Sequence, residues 1–102
     1  MEISVKQEEG CARFDIIGDI DEHGAELLES SFKKLDMGEV RKVIFDFKTV
    51  SHIGSAGIGM LLLFYKDLAI SGREIRVENV SREIYELFEM VSLDSIFTIT
   101  RR

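Results

Sequence analysis

Residues 43–65 read VIFDFKTVSHIGSAGIGMLLLFY, and they decide the fold of this chain. The run of β-forming apolar residues at 43–47 predicts a strand that is buried on both faces. After it, apolar side chains recur at the helical period, at Ile58, Leu61, Leu62, Tyr65 and Leu68. The stretch therefore predicts a buried strand that leads through a short loop into an apolar helix.

Ser55 and two glycines mark the start of this helix. A serine oxygen at a helix start accepts hydrogen bonds from free backbone N–H groups, so Ser55 is predicted to be the N-cap. Gly57 and Gly59 fall in the first turns, where each glycine costs about 1 kcal/mol relative to alanine. Close approach by another molecule, or tight internal packing, would offset that cost. No Lys-Ser or Lys-Thr pair completes a phosphate-binding P-loop here.

The composition is that of an ordinary globular protein. The chain has 102 residues, of which 45% are hydrophobic and 31% charged, and this fits one small domain over residues 1–102. A formal charge of −6 disfavours nucleic acid and anionic membrane surfaces, because both need basic patches. The longest apolar run, residues 60–65, is far shorter than the roughly 20 residues that span a bilayer. The acidic, alternating N-terminus is unlike a signal peptide, so we expect a cytoplasmic protein.

The residues that usually carry chemistry are few and scattered. Cys11 has no partner for an internal disulfide, and one cysteine with the separated His23 and His52 offers no zinc pattern. We expect a packing role for the thiol and surface positions for the two imidazoles. Asp46 is expected to hydrogen-bond backbone at the strand end rather than to act in catalysis. Because no nucleophilic triad, paired carboxylates or ligand set emerges, we expect neither an enzyme nor a bound metal or cofactor.

Alternating residues predict the remaining strands. Apolar and polar residues alternate on both sides of a turn at 8–10, which predicts a β-hairpin. Residues 74–78 alternate in the same way and predict a fourth strand, and residues 96–100 predict a last one. The predicted order is ββαβαβαβ, an α/β fold with one open mixed sheet of about four to five strands that is largely parallel after the hairpin.

Capping residues predict the bounds of the helices. Asp21 is expected to cap a first helix that ends at Gly38. Gly72 is expected to end the second helix, and Ser81 to open the third. Each helix is predicted to turn an apolar face to the sheet, and these faces comprise Ala25, Leu28, Phe32 and Leu35 in the first helix and Ile84, Leu87, Phe88 and Val91 in the third.

Three segments of the chain resemble one known family. They are GDID at residues 18–21, VIFDF at residues 43–47 and VSHIGSAGIG at residues 50–59. Together with the element order, they are similar to the STAS domain of bacterial anti-sigma factor antagonists, which is also found on sulphate transporters. The sharpest motif is a strand, a short loop and a Ser-x-Gly-hydrophobic-Gly helix start. Because the chain stops at Arg102, just after the last predicted strand, we expect the family's final C-terminal helix to be absent.

The resemblance implies a regulatory switch. In that family, the serine that opens the helix is phosphorylated by a partner anti-sigma factor that is also an ATP-dependent serine kinase. The unphosphorylated antagonist sequesters this kinase and frees the sigma factor, and a serine phosphatase resets the cycle. By match of motif the acceptor is Ser55. The partner-binding residues that the resemblance implies are Asp19, Asp21, His23, His52, Gly54, Ser55, Ala56, Gly57, Ile58 and Gly59.

Two departures from the family pattern keep a second interpretation open. The family most often has an acidic residue before the acceptor serine and a hydroxyl residue after it, and here these positions are Gly54 and Ala56. Gly54 favours a STAS module that works without phosphorylation, as a scaffold in a signalling assembly or as a cytoplasmic transporter subunit. Ile58 and Met60 fit a semi-exposed contact surface, and Ile58 fits the core equally well. The sequence also leaves a homodimer open.

Overall fold

The computed structural model describes residues 1–102. Five strands and three α-helices follow one another as β1 (Glu2–Glu8), β2 (Cys11–Ile17), α1 (Glu22–Lys33), β3 (Lys42–Thr49), α2 (Ser55–Ile70), β4 (Glu74–Val80), α3 (Arg82–Met90) and β5 (Thr98–Arg101). The strands form one sheet in chain order, in which only the β1–β2 pair is antiparallel. The predicted α/β class, element order and strand directions are therefore confirmed.

The hairpin turn consists of two residues with left-handed backbone. Glu9 has φ 48° and Gly10 has φ 80°, which is the pattern of the two-residue turn whose twist matches that of the strands. Glu8 and Cys11 face each other as the last pair of the β1–β2 ladder. The predicted hairpin is confirmed, with Glu8 as the last residue of its strand.

The helices cover one face of the sheet only. The aromatic core of that face joins Phe45 of β3 to Phe64 of α2 at 5.7 Å between ring centroids, and Phe47 to Phe88 of α3 at 6.2 Å. In α1, Phe32 stacks on Phe64 at 4.2 Å. Because side chains alternate along a strand, the neighbours of these residues in β3 point away from the helices.

The prediction that residues 43–47 are buried on both faces is confirmed for the apolar residues, but no helix covers the second face. On the helix-free face, Lys42 and Asp46 are only partly buried. Ile44 on that face keeps just 8% of its surface exposed because its neighbours in register are Arg13 of β2 and Arg76 of β4. Long arginine side chains can cover an apolar residue while their charged ends stay hydrated. An apolar run in the sequence does not distinguish this cover from a second layer of helices.

Ion pairs tie three strands together on the helix-free face. The Arg13 guanidinium contacts Asp15 at 3.2 Å, Asp46 at 2.5 Å and Glu78 at 3.4 Å. Asp46 also accepts hydrogen bonds from the Lys48 backbone N–H at 2.8 Å and, as expected, thereby binds backbone at the strand end. Burial raises the pKa of Asp46, but the hydrogen bonds from Lys48, Asn79 and Arg13, with the Arg13 charge, outweigh it and hold that pKa below its ordinary value.

Local capping signals place most helix ends correctly. The Asp21 carboxylate accepts from the Gly24 N–H at 2.8 Å, the Ser81 hydroxyl accepts from the Ile84 N–H at 3.3 Å, and Gly72 follows α2 with φ 72°. All three predictions are confirmed. The predicted end of α1 at Gly38 is wrong, since the helix ends at Lys33 and Gly38 lies in a separate 3₁₀ turn.

The last strand is shorter than predicted. It begins at Thr98, because a 3₁₀ turn at Leu93–Ser95 holds the backbone before it and the Phe97 N–H donates to the Leu93 carbonyl at 2.9 Å. Residues 96 and 97 therefore belong to this turn and its exit. No helix follows β5 within the 102 residues.

Candidate functional site

Two loops meet at the carboxyl ends of β2 and β3. The β2–α1 loop and the β3–α2 loop form an isolated parallel bridge between Ile20 and Ile53. The Ile20 N–H donates to the His52 carbonyl at 2.9 Å, and the Gly54 N–H donates to the Ile20 carbonyl at 2.9 Å. Backbone hydrogen bonds thus connect the GDID segment to the segment that precedes Ser55. In open sheets of this kind, ligands gather at the carboxyl ends of the strands.

A side-chain hydrogen bond adds to this connection. The Ser51 hydroxyl donates to the Asp19 carboxylate at 2.7 Å, and both residues are exposed. Ser51 lies in the segment at 50–59 that resembles the family, but the sequence predicts no role for this residue by itself. Only its place between a strand and a helix marks it in the sequence, because the partner that gives it a role lies 32 positions away.

Ser55 is the first residue of α2 and is exposed. The prediction that it caps the helix is wrong. The N-cap is Gly54, which has the extended backbone of a capping residue, at φ −91° and ψ 178°, and no side chain to donate or accept. The Ser55 hydroxyl makes no hydrogen bond to the protein, and α2 has no side-chain cap. It is therefore accessible, next to the free N–H groups of the first helical turn.

The two glycines of α2 lie in different surroundings. Gly57 is buried, and a β-carbon there would come within 2.7 Å of Ile20 Cγ2 and of Ile53 Cγ1. The missing side chain thus lets the two hydrogen-bonded loops pack directly on α2. Gly59 has nothing within 4 Å of the same position. Its missing side chain serves no internal packing and leaves the outer side of the helix open.

The other predicted site residues divide by exposure. Asp19, Asp21, His23 and His52 are exposed together with Ser55, whereas Gly54, Ala56, Ile58 and Gly59 are half-buried and Gly57 does not reach the surface. These residues lie in the two loops joined at Ile20 and Ile53 or in the first turns of the helices that follow them. Ile58 and Met60 are half-buried and pack against the hydrophobic core. Ile58 therefore contributes to the core, and a contact role for Ile58 and Met60 stays a prediction.

Asp21 is ionised more readily than an ordinary aspartate. The hydrogen bond from the Gly24 backbone N–H is the largest cause and lowers the pKa of this carboxyl. The charge therefore stays at the start of α1, where it satisfies an N–H group and opposes the positive end of the helix dipole. Asp21 is at once a structural cap and part of the surface beside Ser55.

No cluster of three or more His, Cys, Asp and Glu side chains is arranged to hold a metal ion. None of the helices combines the length and the apolar character that crossing a bilayer requires. Fold and site together define an α/β module with an exposed serine at the start of a helix, next to two loops that are hydrogen-bonded to each other. The STAS domain family matches residues 2–102, and the chain belongs to this family.

Comparisons with individual proteins agree with this assignment. The anti-sigma-B factor antagonist of Bacillus subtilis (strain 168) is 28% identical over 101 residues, which are 98% of this chain and 91% of that protein. The crystal structure of an anti-sigma factor antagonist from Mycobacterium paratuberculosis superposes with a TM-score of 0.85 at 20% identity and covers 99% of this chain and 86% of that one. The Bacillus cell fate determinant SpoIIAA, in its phosphorylated form, gives 0.76 at 18% identity over 96% and 90% of the two chains.

Proposed function

We propose that this chain is an anti-sigma factor antagonist that binds an anti-sigma factor with serine kinase activity and is released by phosphorylation of Ser55. The observation that carries the proposal is the exposed Ser55 hydroxyl, which has no partner in the protein. The similarity to the anti-sigma-B factor antagonist supports it. In this role the 102 residues work as one non-enzymatic domain in the cytoplasm. The partner binds the ATP, and a serine phosphatase reverses the modification.

The binding surface consists of the residues around Ser55. It includes Asp19, Asp21 and His23 from the first loop and helix start, and His52, Gly54, Ala56, Ile58 and Gly59 from the second. Gly57 supports this surface from below, because it lets Ile20 and Ile53 pack against α2. A partner that covers the surface would exclude water from the Ser55 hydroxyl.

The effect of phosphorylation on folding can be compared with its effect on partner binding. A phosphate adds about −1.5 to −2 charges, and at a helix start this negative charge is favourable by about 0.3–1 kcal/mol. The modified protein should therefore keep its fold. In a covered interface, a charge without a counter-charge costs roughly 3–5 kcal/mol. The loss in binding thus exceeds the gain in folding, and the modification acts by preventing the partner from docking.

The test uses the anti-sigma factor kinase from the same organism. With ATP, we expect the mass of the wild type to rise by one phosphate and the mass of Ser55→Ala to stay unchanged. We also expect Ser55→Glu to bind the kinase at least tenfold more weakly than the wild type, which corresponds to about 1.4 kcal/mol. Its melting temperature should stay within a few degrees of the wild type, because Ser55 is exposed and its hydroxyl makes no hydrogen bond to the protein.

Ser30→Ala is the control for the mass measurement, since Ser30 is also exposed and lies in α1, outside the two loops around Ser55. It should still take up one phosphate. A phosphate that persists in Ser55→Ala would assign the modification to another residue. Equal affinity of Ser55→Glu and the wild type for the kinase would contradict the switch.

One observation favours a second function for the same fold. Gly54 supplies no carboxylate beside Ser55, whereas the antagonists that the sequence resembles usually have an acidic residue there. A STAS module that works without phosphorylation, in a signalling assembly or on a transporter, would need none. Recovery of the tagged chain with transporter subunits or in a large complex, without any sigma-regulating kinase, would favour this alternative.

A further inference from the structure

A groove lies between α1 and α2 and begins next to Ser55. Its cavity is about 160 Å³, and its lining residues are Glu22, Ala25, Glu26 and Glu29 from α1 with Ala56 and Met60 from α2. Farther along, the two helices close on each other, where Phe32 stacks on Phe64 at 4.2 Å between centroids. The groove is thus open at the end of the molecule that carries Ser55.

One wall of the groove is acidic. Glu22, Glu26 and Glu29 are spaced at i, i+4 and i+7, so they form a row along one side of α1. Neither Glu22 nor Glu26 forms an ion pair, and the only cation near Glu29 is Lys33, at 3.9 Å. The floor, in contrast, consists of the small or apolar side chains of Ala25, Ala56 and Met60.

The apolar floor continues onto the outer side of α2. No charged residue occurs in residues 55–65, and Leu62 and Leu63 are 41% and 51% exposed. Gly59 leaves open space beside them. A helix that is apolar on nearly all sides is normally buried, so this side of α2 lacks the cover that its composition calls for. We define the docking strip as Ala56, Gly59, Met60, Leu62 and Leu63.

We propose that the groove and the docking strip bind a basic amphipathic helix of the partner protein. Its apolar side packs on the docking strip, and its lysine and arginine side chains reach the acidic row of α1. A second copy of this chain is the less favourable occupant, because its formal charge is −6 and a symmetric contact would bring two acidic rows together. The inference rests on the proposed function and adds the chemistry of the partner segment.

Charge reversal on α1 tests the acidic row. The variant Glu22→Lys/Glu26→Lys is compared with Glu83→Lys/Glu89→Lys, which changes the net charge by the same amount on the exposed side of α3. Binding to the anti-sigma factor kinase is measured at low and high salt. We expect the α1 variant to bind at least about tenfold more weakly, mainly through slower association, and with less salt dependence. The α3 variant should change less than about threefold.

A second pair of variants tests the docking strip. Leu63→Ser removes an exposed apolar side chain from it, and Ile70→Ser removes one at the far end of the same helix, where the side chain is 78% exposed. Both variants should fold, since neither residue is buried. We expect Leu63→Ser to dissociate several-fold faster from the kinase and Ile70→Ser to match the wild type.

The other possible results of these binding measurements distinguish the alternatives. Equal losses in the α1 and α3 variants would show that only the overall charge matters, and tighter binding by the α1 variant would show an acidic partner segment. A wild-type dimer in sedimentation that the α1 variant changes would assign the groove to a second copy. If Ser55→Glu weakens binding but the α1 and Leu63 variants do not, this inference fails alone. If the wild type does not bind the kinase, the proposed function fails with it.

Discussion

Gly57 and Gly59 stand two positions apart in α2 and differ in what surrounds them. A methyl group at Gly57 would come within 2.7 Å of two isoleucine side chains, whereas one at Gly59 would meet nothing within 4 Å. We expect Gly57→Ala to lower the free energy of unfolding by about 1–3 kcal/mol through overpacking. Gly59→Ala should raise it by up to about 1 kcal/mol, because alanine is the better helix former. Urea denaturation at neutral pH measures both.

The opposite signs make the two variants controls for each other. Both replace the same residue type in the same helix, so any common effect on the unfolded chain cancels. Equal changes in the two variants would contradict the described packing of Ile20 and Ile53 on α2. Gly59→Ala should also weaken partner binding if a partner approaches that side of the helix.

Sequence reasoning at this scale succeeded where the cause is local. Asp21 and Ser81 each bond an N–H group three positions away, so the short pattern contains the whole interaction. It failed at Ser55, because the position of the helix start is set by the bond from the Gly54 N–H to the Ile20 carbonyl, across 34 positions. The exposed position of Ser55 and the contact of Ser51 with Asp19 follow from the fold and not from the spacing of residues.

At the scale of elements, the three helix starts differ in how they are capped. Asp21 and Ser81 cap α1 and α3 with side chains, whereas α2 has no side-chain cap. We expect Asp21→Ala to lower the free energy of unfolding, because the Gly24 N–H loses its capping carboxylate. Ser55→Ala should leave it within about 0.5 kcal/mol, as is usual for a surface substitution. Thermal unfolding of the two variants and the wild type measures the difference.

Gly54→Asp provides the reverse comparison. Gly54 has the backbone angles of an ordinary capping residue, and an added β-carbon would lie 3.8 Å from the Ile20 carbonyl oxygen, so a β-carbon fits there. The substitution should raise stability by a few tenths of a kcal/mol by supplying the missing cap. A loss of stability in Ser55→Ala as large as that in Asp21→Ala would mean that Ser55 acts as a cap after all.

The order and type of the elements could be predicted because they follow from periodicity and turn residues. The way in which the helix-free face of the sheet is covered could not be predicted, since Ile44 is shielded by Arg13 and Arg76, which come from other strands. The two 3₁₀ turns were also missed. Three residues make too short a segment to show a period, and the first of these turns contains the expected helix end at Gly38, and the exit of the second takes up the first two residues of the expected strand.

For the whole molecule, the ion pairs of the helix-free face predict sensitivity to acid. The folded protein holds the pKa of Asp46 below its ordinary value, which is about 3.9 in an unfolded chain. The stability from the ionised carboxylate is therefore complete above that value and is lost as the pH falls through the folded pKa. We expect Asp46→Asn to be less stable than the wild type by about 1–3 kcal/mol at pH 7, and the gap to shrink as the pH approaches 3.

Urea denaturation at several pH values between 7 and 3 measures this gap. Asp94→Asn is the matched control, because Asp94 is exposed and forms no ion pair or side-chain hydrogen bond. It should follow the wild type at every pH. A gap between Asp46→Asn and the wild type that stays constant with pH would mean that neutral contacts, not the charge, give Asp46 its effect.

The hydrogen bonds between the two loops affect the association rate and the affinity of a partner. Since the bridge between Ile20 and Ile53 and the Ser51–Asp19 hydrogen bond already fix both segments, little conformational entropy remains to be lost on complex formation. Docking should then resemble two rigid bodies meeting, with slow amide hydrogen exchange at Ile20 and Gly54 before the partner arrives. A substitution that breaks the hydrogen bonds between these loops would weaken the complex even if the substituted residue does not touch the partner. The loops of the free protein would then be more disordered, and ordering them on binding would cost more free energy.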